Sequence, residues 1–424
     1  MTLTHPAAPS APAPSAPALA DLALADLAQG YLPGHGLPQA AYTDPVLFDV
    51  DLDRVFGRSW LFVASAAELP TVGDHLTWTV GQESVVLSRA DDGRLHAHAN
   101  VCRHRGCRLR ADGPGHDQVL VCPYHQWAYG LDGTLRGTPH MGPEVRARRP
   151  ELGLVPVALR EAGGLVFVCL SDDPPPFDEV AAAVDAHVAP YRTDRTKVVA
   201  RHRYRVRANW KVLVENNREC YHCTANHQSF CLSNFELGMS GDTRSNSRYE
   251  AAVAEQRALW AERGLPTDDV SFPDGSFLRV ARLPLRDGFV TETVSGRLAA
   301  PLLGELPDAH VGSVRLITLP NSWSHVNADY VMTTRLTPVD VGTTDVDVVF
   351  LVRDDAVEGR DYDVEDVARV WVATSEEDWE LCEANAAGIA SRAYRPGPLS
   401  PVTENSLADF HGWWLRCLGL QEQA

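Results

Sequence analysis

Cys102-Arg103-His104 and Cys122-Pro123-Tyr124-His125 each pair a thiol with an imidazole. Seventeen residues separate His104 from Cys122, which gives the pattern C-x-H-x17-C-x-x-H. Two thiolates and two imidazoles suit a zinc ion, or a [2Fe–2S] cluster with histidine on one of its irons. Zinc fingers usually keep both cysteines in one half and both histidines in the other. Here each half mixes the two, and C-x-H is shorter than the usual finger pair. The pattern therefore favours iron–sulfur chemistry. Cys107, five residues past Cys102, reads as a small residue packed beside such a cluster. His96 and His98 precede the motif on one strand face and read as structural residues.

A second group centres on His222 and His227. From Asn209 to His222 the periodicity is helical, with Trp210, Leu213, Val214, Asn217 and Tyr221 on one face and Glu215, Glu219 and His222 on the other. By periodicity alone those three form a solvated face. In a regular helix His227 would point about 140° away from His222. Both can reach one metal only if the helix ends or kinks between them, which Thr224-Ala225-Asn226 permits. A carboxylate is still needed. On an amphipathic helix expected over 363–390, Val364, Val367, Trp371, Leu381, Cys382 and Ile389 make an apolar stripe. Asp378 falls inside it, while Glu376, Glu377 and Glu380 fall outside. A carboxylate aimed at a core costs several kcal/mol unless it is paired or metal-bound. A buried salt bridge or a capping contact is the other reading of Asp378. Two histidines and one carboxylate leave an iron open positions for dioxygen and substrate.

The elements that must position these groups differ along the chain. Residues 1–30 are rich in Ala, Pro and Ser and are expected to be disordered. Between 57 and 170 the pattern is short and β-like, with HLTWTV (75–80), SVVLSR (84–89), LHAHAN (95–100), QVLVC (118–122) and GGLVFVCL (163–170) as strands. Beyond Pro174-Pro175-Pro176 helical stretches mix with strand-like GSVRLITL (312–319), YVMTTRL (330–336) and TDVDVVFLV (344–352). Helices against an antiparallel sheet make an α+β domain. The 424 residues exceed one small core, and the net charge of −18 argues against nucleic acid as a partner. No apolar run is long enough for a membrane span and no signal peptide is evident. Nine cysteines without a disulfide-like framework suggest reduced thiols and metal ligands in a cytoplasm.

The strings CRHRGCRL, CPYHQWAYG, NWKVLVENNRECYHCTANH and SEEDWELCEANAAGI resemble the Rieske non-haem iron oxygenases. The likeness runs over nearly all of residues 35–420. It implies an all-β Rieske [2Fe–2S] domain over 57–170, and a helix-grip-type catalytic domain built from 31–56 and 171–424. It implies that Cys102 and Cys122 hold one cluster iron, and His104 and His125 the other. His222, His227 and Asp378 would hold a mononuclear Fe(II). Glu219 would be the acid that bridges an iron-bound histidine to a Rieske histidine of the neighbouring subunit. Many ring dioxygenases have Asp there. A homotrimer closed head to tail would bring the two centres together.

LPNSWSHVNADY, DAVEGRDYDVEDVARVW and SRAYRPGPLSP are similar to the quaternary-ammonium branch of that family. The branch implies use of O2 to oxidise an N-methyl group of a glycine betaine-like compound, with release of formaldehyde. Hydroxylation of choline, or ring dioxygenation of an aromatic compound, stands as the alternative. Aromatic faces stabilise a methylated cation, and Trp323, Tyr330, Phe230 and Phe235 lie in segments that the resemblance places near the iron. Ala386 departs from the pattern, since relatives often carry Gln there. The chain shows no dinucleotide fingerprint and no plant-ferredoxin cysteine spacing. Electrons from NAD(P)H are therefore expected through a separate flavin- and ferredoxin-type reductase.

Overall fold

A computed structural model describes residues 16–235, 243–272 and 278–420. Among the described residues, ten strands precede residue 170: β1 (Trp60–Ser65), β2 (Asp74–Val80), β3 (Glu83–Arg89), β4 (Leu95–Ala99), β5 (Gly113–His116), β6 (Leu120–Val121), β7 (Ala128–Tyr129), β8 (Leu135–Gly137), β9 (Ala158–Ala162) and β10 (Leu165–Cys169). They form three antiparallel sheets, ordered β4-β3-β2-β5, β6-β7-β8 and β1-β10-β9. Seven more follow: β11 (Thr196–Val206), β12 (Val270–Phe272), β13 (Leu278–Leu283), β14 (Ser313–Thr318), β15 (Ser322–Val326), β16 (Val331–Asp340) and β17 (Thr343–Arg353). These make one antiparallel sheet, ordered β11-β17-β16-β15-β14-β13-β12. The arrangement is α+β, as the patterning implies.

Strand alternation decides which way each part faces. On β3, Val85 and Leu87 join the large core under the seven-stranded sheet, whereas Val86 joins a separate small core around Cys102, Cys122, Trp127 and Tyr129. One strand thus serves both cores. The junction is also polar: the Trp78 indole N–H on β2 donates to Thr337 Oγ1 on β16 at 2.9 Å, and Arg335 lies 5.6 Å from the Trp78 ring.

Two expectations are corrected here. Ala16–Gly30 is a helix, with Leu24 and Leu27 buried in the large core. Ala and Leu, both strong helix formers, dominate it, and Leu24 and Leu27 pack it onto the core. Residues 1–15 of the expected disordered tail lie outside the described residues. The cysteines are not all free thiols, because Cys220 and Cys223 form a disulfide. The chain folds back between them and brings their Cα atoms to 5.0 Å, within bridging range. No described helix is long and apolar enough to cross a membrane.

Candidate metal centres and active site

The first centre lies at the tips of two loops, 100–110 and 122–127. Cys102 N–H donates to Cys107 O at 2.9 Å, and Gly106 N–H returns to Cys102 O at 3.0 Å. Gly106 has φ +77°, a conformation that side chains disfavour, so glycine is needed for the turn. In the second loop Cys122 N–H donates to Trp127 O at 2.8 Å. Both thiols are buried, and the rings of His104 and His125 stand 4.7 Å apart. The His104 ring stacks on Trp127 at 4.9 Å, and its Nδ1 is buried with no hydrogen-bond partner. A buried imidazole nitrogen without a partner is expensive, and a metal facing it removes that cost. Tyr129 Oη lies 3.3 Å from Cys102 Sγ and accepts the Arg103 N–H at 3.0 Å. Such contacts tune a cluster potential. Cys107 packs beside this core, as expected from its size. His96 pairs with Asp92 at 3.1 Å, and His98 is buried, so both are structural in kind.

The second centre depends on a helix that stops early. Asn209 caps Trp210–Arg218, accepting the Lys211 N–H at 3.1 Å. Glu219 then turns extended, with φ −131° and ψ 159°. A four-residue helix, Cys223–Asn226, follows before His227. Hence Glu215, Glu219 and His222 do not share one helix face, and Tyr221 does not join the buried side but is exposed. Nor is Glu215 solvated: it accepts from Tyr42 at 2.8 Å and contacts His411 Nε2 at 2.8 Å. The break lets His222 and His227 face each other, with their rings 5.0 Å apart.

Asp378 comes from the opposite side. The Val364–Ile389 helix crosses the sheet, and Trp371, Thr374 and Asp378 recur along one of its faces. Asp378 Oδ1 lies 3.2 Å from His222 Nε2 and 2.9 Å from His227 Nε2. The His227 Nε2 contact is close but lacks hydrogen-bond alignment, so this buried nitrogen has no proper partner. Ligands bound at about 2.1 Å and at right angles on a first-row metal stand about 3 Å apart. The two separations from Asp378 Oδ1 fit that spacing. Each imidazole is held by its other nitrogen: His222 Nδ1 contacts Glu219 Oε1 at 2.6 Å and His227 Nδ1 contacts Glu377 Oε2 at 2.8 Å. Burial works against a charged His222, but Asp378 and Glu219 outweigh it and raise the imidazole to about 9 in the metal-free chain. A dication among these carboxylates would replace that proton. Cys223 also lies near the two histidines, but its sulfur is in the disulfide and is no thiolate donor.

A cavity of about 450 Å³ opens on this cluster. Its roof is one face of the sheet, onto which Arg279 and Ala281 of β13, Arg315 and Ile317 of β14, and Trp323 and His325 of β15 alternate. Phe230, Trp323 and Trp371 supply aromatic walls. Two other aromatic expectations are corrected. Tyr330 is fully buried and donates to the Glu292 carbonyl at 2.8 Å instead of lining the cavity. Phe235 packs on Tyr249 and lines a different hollow with Leu285 and Arg286, because the chain leaves the site after Ser233. Ala386 also faces elsewhere, beside Tyr42, Arg207 and Glu383. The sequence reading missed Glu377, whose only local signal is its place next to Asp378. It also missed Arg315 and the buried Glu292, which carry no motif, and His325, which lies within LPNSWSHVNADY but has no ligand spacing of its own.

Fold and clusters together define the class: an oxygenase that joins a Rieske domain to a mononuclear-iron domain. Residues 59–157 match the Rieske [2Fe–2S] domain, and residues 193–420 match the catalytic domain of the ring-hydroxylating alpha subunit. The chain belongs to this family of Rieske-type oxygenase alpha subunits. It is 41% identical over 382 residues to a glycine betaine monooxygenase oxygenase subunit of Chromohalobacter salexigens, covering 90% of this chain and 85% of that protein. The corresponding Pseudomonas aeruginosa protein is 38% identical over 381 residues, 89% of this chain and 88% of that one. The solved quaternary ammonium Rieske monooxygenase CntA shares the fold, with a TM-score of 0.68 at 23% identity over 93% of this chain and 98% of that one. The chain is therefore a monooxygenase-type Rieske enzyme that carries a [2Fe–2S] cluster and a mononuclear iron, uses O2 and takes electrons from a separate reductase.

Proposed function

We propose that the chain removes an N-methyl group from a quaternary ammonium compound of the glycine betaine kind. In this reading Cys102, His104, Cys122 and His125 hold the cluster, and His222, His227 and Asp378 hold the mononuclear iron. The observation that carries the substrate class is the wall of Phe230, Trp323 and Trp371 beside the histidine–carboxylate cluster. A quaternary ammonium offers no hydrogen-bond donor, and each aromatic face can stabilise it by about 0.5–2 kcal/mol. The names of the relatives support the same class.

When bound, the cluster supplies electrons one at a time and the mononuclear iron supplies dioxygen activation. The residues do the rest. Glu219 and Glu377 fix the two imidazoles by their Nδ1 atoms, which keeps each Nε2 turned inward. The aromatic walls hold one methyl at the centre and exclude water. On the substrate, a methyl C–H becomes a hydroxymethyl group, and the second oxygen atom leaves as water. The hydroxyl then gives up its proton to solvent as the C–N bond breaks, so that formaldehyde leaves and nitrogen keeps the electron pair.

None of the four proposed cluster ligands lines the catalytic cavity. Glu219, beside His222 at the cavity mouth, is the natural bridge to a cluster on a neighbouring subunit, which favours a homotrimer. Residues 57–170 then act as the Rieske domain, and 31–56 with 171–424 as the catalytic domain. A flavin- and ferredoxin-type reductase fed by NAD(P)H in the cytoplasm completes the system.

The test is oxygen uptake coupled to formaldehyde release with glycine betaine and other methylated amines. Stoichiometric formaldehyde is expected. A cis-diol from an arene, with no formaldehyde from any amine, would overturn the reading. For the site, His222→Ala is expected to lose the mononuclear iron while the cluster absorption persists.

A further inference from the structure

The cavity is much larger than a small methylated amine, so shape alone cannot hold one methyl group against the metal cluster. A fixed polar anchor is needed at the other end. The Phe230 ring links the two. It stands 6.4 Å from the His227 ring and 5.8 Å from the Arg315 guanidinium. Trp371 lies 5.6 Å from Phe230 and 4.2 Å from His325, so the aromatic wall runs from the histidines to the arginine without a gap.

Arg315 is built into place. It faces His325 across β14 and β15, and Glu292 lies beneath both. Glu292 is fully buried, and its Oε1 accepts from Arg315 at 3.3 Å. Its Oε2 contacts His325 Nδ1 at 3.1 Å and accepts from Asn327 at 3.0 Å. Arg315 also donates to Asn234 Oδ1. Yet its Nε–H is buried with no acceptor. The other cavity arginine, Arg279, is already engaged by both oxygens of Asp269, at 3.0 and 2.5 Å. Arg315 is thus a pre-oriented cation whose side chain stays 21% exposed on the cavity wall, with the Phe230 ring between it and the iron-binding histidines.

We infer that Arg315 anchors a carboxylate of the substrate, so that the enzyme selects short zwitterions, with the carboxylate about one ring width from the oxidised methyl, over alcohols with the same ammonium head. This rests on the proposed quaternary-ammonium reading and narrows it. Arg315 is a specificity-determining residue in this account, and Glu292 and His325 position it. A charge-assisted hydrogen bond to the carboxylate accounts for the preference.

The probes are glycine betaine and choline, which share a trimethylammonium head and differ in carboxylate against hydroxyl. The enzyme is the full chain with its reductase. Arg315→Gln alone would strand the buried Glu292 charge, so the decisive variant is the neutral pair Arg315→Gln/Glu292→Gln, checked for cluster absorption and iron content. In the wild type, glycine betaine should be strongly preferred. In the pair, KM for glycine betaine should rise about 10- to 100-fold with a smaller change in kcat, while choline turnover stays the same or rises. An unchanged KM for glycine betaine, equal loss on both probes, or a wild type that takes choline as readily overturns the anchor while leaving N-demethylation standing. Formaldehyde from neither probe overturns the substrate class and the anchor with it.

Discussion

At the scale of single residues, the site separates atoms that bind from atoms that aim. His222 and His227 each turn Nε2 toward Asp378 and give Nδ1 to a glutamate. Removing the aiming partner should weaken metal binding without touching the cluster. Glu377→Ala is expected to lower affinity for the mononuclear iron about 10- to 100-fold, measured as iron bound per chain at matched Rieske absorption. Glu219 has a second duty in the proposed trimer. Glu219→Gln should keep its iron and its chemically reducible cluster, yet slow reductase-driven turnover about 100-fold. Full activity in that variant would remove Glu219 from the electron path.

At the scale of elements, the two centres depend on where strands and helices begin and end. Asp363 caps the helix that delivers Asp378, its side chain accepting the Glu365 N–H at 2.8 Å. Asp363→Ala should destabilise the catalytic domain by about 1 kcal/mol, read from urea midpoints. In the Rieske domain, β4 buries His98, and burial holds its imidazole down at about 4, against an ordinary value of 6.5. Between those two values the unfolded chain binds more protons than the folded one. Stability therefore rises with pH through that window and is lost as pH falls through it, by about 2–3 kcal/mol. Bleaching of the cluster in urea should come earlier at pH 5 than at pH 7, and a His98→Gln variant should lose that slope. A midpoint independent of pH in the wild type would refute this.

At the scale of the whole molecule, buried charge ties remote segments together. Lys211 and Asp51 are both fully buried and paired. Asp51 also accepts from the indoles of Trp210 at 3.1 Å and Trp414 at 2.6 Å. One carboxylate thereby joins the N-terminal region, the His222 arm and the C-terminal helix. Asp51→Ala leaves an uncompensated ammonium and should cost about 3–5 kcal/mol, seen as a fall in the urea midpoint of the catalytic domain. The proposed trimer makes a sharper prediction. With reductase, His104→Ala should be inactive and Glu219→Gln should keep only about a hundredth of wild-type turnover. Randomly mixed trimers from equal co-expression should recover about a quarter of wild-type turnover, because a cluster of one subunit then meets the intact acid of the next. No recovery in verified mixed trimers would show that electrons do not cross between subunits.

How much of this was legible in advance follows from the range of the interactions involved. Metal chemistry is set by residue type and short spacing, so C-x-H-x17-C-x-x-H and the pair His222 and His227 stood out. The stripe around Asp378 also reads directly, because helical period is local, and the helix of 363–390 is observed as Val364–Ile389. What periodicity could not give was the helix end at Arg218, where the chain turns extended so that Glu219 meets His222. Nor could it separate Phe230 and Trp323, which line the cavity, from Tyr330 and Phe235, which do not. The Ala16–Gly30 helix was hidden too, since the Ala and Leu that favour it follow a Pro- and Ser-rich run that reads as a continuous tail. By itself the sequence determined which groups can hold iron and on which kind of element they ride. Only the tertiary structure decided that Asp378 meets histidines some 150 residues away, and that Arg315 lines their cavity with Glu292 buried behind it, because those distances are set by the packing of whole elements and leave no trace in local pattern.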